Sequence, residues 1–125
     1  MKKPNYKAKL DRIFSIYIRK RDTIGGYGVC ISCGKVIMFD TCDCGHYINR
    51  QHMSTRFDEH NCNAQCRKCN RFDEGNIQGY RKGLIKKIGL EAVELLEIKK
   101  FNKAKYTEFE YKILIQEYQQ KIKNL

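Results

Sequence analysis

Two CxxC pairs constrain what this chain can fold into more than any other feature. Cys30-Ile31-Ser32-Cys33-Gly34 and Cys66-Arg67-Lys68-Cys69 stand 32 residues apart in a chain of 125. A CxxC lets one tight turn aim two thiolates at a single ion, and two such pairs complete a closed tetrahedral site suited to zinc. With four protein ligands there is no open position, so this zinc is expected to be structural. A chain of this length buries comparatively little surface on folding and gains from such a staple. Residues 1–12 contain no apolar h-region, and the longest apolar run, Val36-Ile37-Met38-Phe39, is far below the roughly 20 residues of a membrane span. Export and a membrane partner are therefore not expected. The expected location is a reducing cytoplasm, where short-spaced cysteines favour metal over disulfides.

The net charge is +11, and it is segregated. Residues 1–21 hold eight Lys/Arg and one acid, residues 22–79 six against seven, and residues 80–125 eleven against six. A neutral centre rich in Cys, His, Asn and Gly thus sits between cationic arms. Such arms suit a polyanion, since each neutralised phosphate releases condensed counterions.

Tyr6, Leu10, Ile13, Phe14 and Tyr17 repeat at helical spacing, with Arg12, Arg19 and Lys20 largely off the stripe, which predicts an amphipathic helix ending near Asp22-Thr23. Short β-prone runs (29–31, 36–39, 47–48) predict small hairpins, and residues 49–64 read as a loop. Helix is predicted over 65–71, 78–88 and 90–100. Thr107-Glu108-Phe109-Glu110 is a capping box opening a last helix striped by Tyr111, Leu114, Ile115, Tyr118, Ile122 and Leu125, facing the core or a dimer seam.

A second constellation comprises Asp43-Cys44-Gly45-His46, Asn61 in the loop, and Asn70 directly after the last CxxC. Hard oxygen ligands in an open site suit Mg²⁺ or Mn²⁺, and an imidazole beside such a metal can act as general base on water. Cys42, Cys44 and Cys62, with His46, His52 and His60 nearby, could assemble a second zinc site, but their spacing matches no closed-site pattern and the reading is buried or incidental thiols. Arg50 and Arg56 flank the loop, either to clamp a phosphate or to pair with Asp58 or Glu59. Lys2, Lys3, Lys7, Lys9, Lys20, Arg21, Lys86 and Lys87 are assigned to phosphate contact as a group.

The run Cys30-x-x-Cys33-Gly34, Asp43-x-Gly45-His46-Tyr47, Arg56-Phe57-Asp58-Glu59-x-Asn61, Gln65-Cys66-x-x-Cys69-Asn70 and Gly75-Asn76 resembles the phage NinG, or Rap, recombination proteins. The likeness continues through Tyr80-Arg81, residues 84–93 and residues 117–121. It implies a structure-specific endonuclease that cuts branched DNA, such as Holliday junctions and strand-invasion loops, alongside a phage recombinase. The centre also resembles the HNH, or ββα-metal, nucleases, in particular the zinc-containing phage endonuclease VII. That pattern makes Asp43 and Asn70 ligands of a catalytic Mg²⁺ or Mn²⁺, His46 the general base and Asn61 the residue that orients it. Two departures stand out: Gly45 replaces the His or Asp that often precedes the base, and Asn70 replaces a final-helix His.

The expectation is therefore an α+β protein of one domain over 1–125. It has a basic N-terminal helix (1–24), a zinc-stabilised, treble-clef-like ββα-metal nuclease core (25–77) and a helical C-terminal region (78–125). A homodimer is expected, because paired cuts at a symmetric junction need two sites related by a two-fold axis. The rival is a non-catalytic zinc-dependent DNA-binding or adaptor module.

Overall fold

The structure, a computed structural model, describes residues 3–125, so Lys2 of the basic group lies outside the described residues. Helix α1 (Tyr6–Arg21) starts where the Asn5 side chain accepts from Ala8 N at 2.9 Å, and closes with Arg19, Lys20 and Arg21 at its negative end. Its apolar stripe buries Leu10, Ile13, Phe14 and Ile18. The final helix of the described chain, α5 (Glu108–Lys123), carries the expected capping box and lays Ile115 and Tyr118 against that stripe. Phe14 stands edge-on to Tyr118 at 4.9 Å between ring centroids and to Phe57 at 5.8 Å. The α5 stripe therefore faces the core.

Between these helices lie two small antiparallel sheets, so the chain is a mixed α+β fold. Strands β1 (Tyr27–Val29) and β2 (Val36–Met38) pair with Gly28 opposite Ile37, and the turn between them holds Cys30 and Cys33. Strands β3 (Cys42–His46) and β4 (Cys62–Cys66) pair from Cys42 opposite Cys66 to His46 opposite Cys62. A one-turn helix α2 (Met53–Arg56) lies in the loop between them, and a wide helical turn over Lys68–Phe72 follows β4. Helices α3 (Ile77–Ile88) and α4 (Leu90–Lys99) then bury Tyr80, Leu84, Val93 and Leu96 with Tyr47 and Ile48. Among the described residues, no helix is long and apolar enough to cross a membrane.

Strand β4 corrects the sequence reading, which placed a loop up to residue 64 and a helix from 65. Cys-Asn-Ala-Gln-Cys alternates apolar and polar residues, but Asn and Ala are poor strand formers, and its polar side chains are buried as well, satisfied internally. Asn63 Nδ2 donates to Tyr80 Oη at 3.2 Å, and Gln65 Nε2 donates to Ser32 Oγ at 2.9 Å and to Gly75 O at 2.6 Å. Strand β3 likewise spans 42–46, one step before the β-prone Tyr47-Ile48 pair.

Helix α3 lies directly on the first CxxC turn. A Cβ added at Gly79 or Gly83 would run into the carbonyl oxygens of Ser32 and Ile31 respectively. Gly83→Ala is accordingly a test of sign. Helix propensity alone would stabilise it by about 1 kcal/mol, whereas the close approach should destabilise it by about 1–3 kcal/mol, read from urea unfolding of the zinc-loaded chain.

Candidate functional site

The sulfurs of Cys30, Cys33, Cys66 and Cys69 all lie within 4.8 Å of one another. Zinc–sulfur bonds of about 2.3 Å at the tetrahedral angle set sulfurs about 3.8 Å apart, and Cys33 Sγ and Cys66 Sγ are separated by 3.8 Å. Ser32 N donates to Cys30 Sγ, Cys69 N to Cys66 Sγ and Asn76 Nδ2 to Cys69 Sγ, each at 3.4 Å. Such donors stabilise thiolates around a metal. The four sulfurs can hold a structural metal such as zinc.

Asn70 sits on the wide turn just beyond Cys69, which brings it to β3. Asn70 Nδ2 donates to Asp43 Oδ2 at 2.9 Å, leaving its Oδ1 free to accept. Arg71 forks onto both Asp43 oxygens at 2.9 Å, and Arg67 approaches to 3.8 Å. Burial would raise the Asp43 pKa, but the hydrogen bonds from Arg71 and Asn70 and the arginine charges outweigh it and hold the carboxyl below its usual range.

His46, on the same strand, places Nε2 2.9 Å from the Arg56 carbonyl oxygen. A carbonyl only accepts, so Nε2 carries the proton and Nδ1 the lone pair. Burial above all, with the Arg50 and Arg56 charges, pushes the His46 pKa down to about 4, against the upward pull of that carbonyl and of Asp11. The imidazole is neutral at pH 7. Asn61 does not touch it. Fully buried, Asn61 accepts from Ile48 N at 2.7 Å and donates to Ile48 O at 3.1 Å and Thr55 O at 3.0 Å. It fixes the loop that supplies the Arg56 carbonyl, and so positions His46 indirectly.

Gly45 has its explanation in β4: a Cβ there would collide with the Gln65 side chain, whose amide is already bonded to Ser32 and Gly75. A larger residue beside the imidazole would have to push the Gln65 side chain off those bonds.

Asp43, His46 and Asn70 line a cleft of about 630 Å³ whose other wall is α1. Arg12 and Arg19 from α1, with Arg50, Arg67 and Arg71, give it a cationic rim. Of the ten basic residues singled out for phosphate contact, Lys2 lies outside the described residues and, of the other nine, only Arg50 lines this cleft. Arg56 is buried and forks onto Asp11 at 2.9 and 2.5 Å, so it pairs with neither Asp58 nor Glu59. Arg21 is held by Asp22 at 2.8 Å and by the carbonyls of Glu59 and Cys62. Lys87 bonds Asp22 at 3.1 Å and Asn63 at 2.6 Å, while Lys20 and Lys86 are exposed away from the cleft. Arginines 12, 19, 67 and 71 line it as well. The signal was present: Arg12 and Arg19 lie seven apart off the apolar stripe, and Arg67 and Arg71 bracket Cys69-Asn70.

The sequence model of the family described as "Bacteriophage Lambda NinG protein" matches residues 1–125. The chain belongs to the NinG family. Among curated NinG relatives, "Protein ninG" of Escherichia phage lambda is 41% identical over 97 residues, covering 77% of this chain and 47% of that protein. "Protein ninG" of Salmonella phage P22 is 40% identical with the same coverage. This NinG chain spans about half the length of the curated relatives it matches. No solved structure matches it.

Two measurements check the site in this NinG chain. Arg56→Ala should cost about 1–3 kcal/mol of stability, because the half-buried Asp11 loses its forked partner and keeps only Arg50 at 3.0 Å; Arg50→Ala, at that exposed pair, should cost less than about 1 kcal/mol. The His46 pKa falls from 6.5 to about 4 on folding, so below pH 6.5 the unfolded chain takes up a proton that the native one refuses. Stability is then full above pH 6.5, falls towards pH 4, and levels off below it. In a chain loaded with one zinc equivalent, His46→Gln should flatten that part of the thermal-melting profile.

Proposed function

We propose that this chain is a metal-dependent, structure-specific DNA endonuclease that hydrolyses phosphodiesters in branched recombination intermediates. The observation that carries the reading is the neutral His46, with its Nε2–H taken up by a backbone carbonyl, beside the Asp43–Asn70 pair in an arginine-rimmed cleft. The order β3, β4, helical turn, with these residues on its first and last members, supports a ββα-metal core of the HNH, treble-clef-like kind braced by zinc.

The Asp43 carboxylate and the free Asn70 Oδ1 are hard oxygen donors that fit Mg²⁺ or Mn²⁺. Such an ion would supply stabilisation of the charge that builds on the phosphate and the leaving oxygen. His46 Nδ1 takes the proton of the attacking water, and the low pKa keeps that nitrogen free at neutral pH. Asn61 and the Arg56 carbonyl hold the ring in place. Arg12, Arg19, Arg50 and Arg67 receive the DNA backbone, a contact that reads charge and shape rather than base edges. A homodimer acting in the host cytoplasm beside a phage recombinase completes the reading.

The test is cleavage of a labelled four-way junction and its matched linear duplex, with and without added Mg²⁺ or Mn²⁺. Wild type should cut the junction preferentially and only with the ion. A folded, zinc-replete His46→Ala should lose activity by about 10²–10⁴-fold. Tight junction binding with no cutting under either metal would overturn the reading and leave a zinc-dependent binding module.

A further inference from the structure

Sheet pairing brings together a second group of metal-binding side chains. Cys44 Sγ, Cys62 Sγ and a ring nitrogen of His46 all lie within 4.8 Å of one another. Register explains it: His46 sits opposite Cys62, and Cys44 lies two residues before His46 on the same face of β3. Chain order hid it, because the spacing of these residues follows no closed-site pattern.

The surroundings suit an ion. Cys62 is 0% exposed and sealed against the core, whereas Cys44 is half-buried and opens on the cleft. The Arg56 carbonyl accepts from both the Cys62 thiol, at 3.5 Å, and the imidazole, at 2.9 Å, which fixes the ring and aims both groups. A carbonyl on the second nitrogen is the usual support of a metal-bound histidine. Two sulfurs and one imidazole leave a fourth position for water on the cleft side, as in open zinc sites. The donors are soft, unlike the oxygens of Asp43 and Asn70, so Mg²⁺ and Mn²⁺ are poorly matched to them. The third leftover cysteine, Cys42, stays apart, with its thiol donating to Phe39 O at 3.7 Å.

We infer that Cys44, His46 and Cys62 form a second, thiophilic metal site, taking Zn²⁺, whose occupation removes the His46 imidazole from base duty and silences the cleft. Binding forms two metal–sulfur bonds and one metal–nitrogen bond and releases the two thiol protons to solvent, with no change of oxidation state. The inhibitory half rests on His46 being the general base; the metal site does not.

The experiment uses the full chain, kept reduced with a thiol-free reductant. Zinc content after equilibrium dialysis and the absorption spectrum during Co²⁺ titration report occupancy without any cutting assay. Wild type should bind two ions, the second with the spectrum of a two-sulfur, one-imidazole site. Cys44→Ala, at a half-buried strand position, should retain one ion and a native melting transition, with affinity for the second down by on the order of 100-fold or more. Saturation of wild type at one ion, or two ions in Cys44→Ala, would overturn the site. With junction and Mg²⁺ present, added Zn²⁺ should inhibit wild type at concentrations at least about tenfold lower than Cys44→Ala; equal inhibition overturns the inhibitory half. A wild type that binds two ions yet never cuts would refute the nuclease reading while supporting the site.

Discussion

The four-sulfur cluster is the constraint from which the rest of the molecule follows. It ties the β1–β2 turn to the end of β4, two pieces that no continuous apolar core connects, since around it only Ile37 and Ala64 join the cysteines and Cys42. Cross-linking distant segments limits the freedom of the unfolded chain and stabilises the native one. Its consequences reach outward in steps. The first CxxC turn gives α3 its resting place at Gly79 and Gly83, and presents Ser32 to Gln65. The second starts the wide turn that delivers Asn70 to Asp43. A structural metal held here would thus set the position of groups that never touch it.

A second layer of control is polar. Asn61, Asn63, Gln65 and Tyr80 are all buried, and among the described residues no buried side-chain nitrogen or oxygen lacks a partner. Tyr80 Oη donates to Gly45 O at 2.7 Å while accepting from Asn63, so α3 grips both strands of the β3–β4 pair. A fully satisfied network of this kind specifies one register more sharply than apolar packing does. Slipping β4 by one residue would move Cys62 to the other face of the sheet and separate it from His46. On the far side Glu59 accepts from Tyr17, Tyr118 and Lys121, fastening α1 and α5 to the loop before β4.

Legibility in the sequence followed the kind of interaction involved. The helices were readable because their burial is apolar and periodic, from Leu10 and Phe14 to Ile115 and Tyr118, and because Thr107 and Glu110 announce a cap. The four-cysteine cluster was readable because its ligands come in two local turns. Strand β4 was not, since its partners are Ser32, Gly75 and Tyr80, far away in the chain. The same applies to charge. Arg21 and Arg56 look like free cations in a basic segment, yet folding gives them Asp22 and Asp11, while the exposed cationic rim is assembled from α1 and the second CxxC turn. Cys44, His46 and Cys62 are a group only once the strands pair.

The packing of α1 against α5 also sets a schedule. These helices share one apolar cluster but lie at opposite ends of the described chain, so α1 leaves the ribosome long before its cover exists. At about 5–20 residues per second the delay is on the order of ten seconds. Until then only the β3–β4 segment, with Phe57 and Cys62, covers the stripe of Leu10, Phe14 and Ile18, and the part that α5 buries stands open to water or to a chaperone. The arginine wall that α1 contributes to the cleft therefore gains its last support with α5, and a nascent chain carries its cationic surface before the cleft is complete.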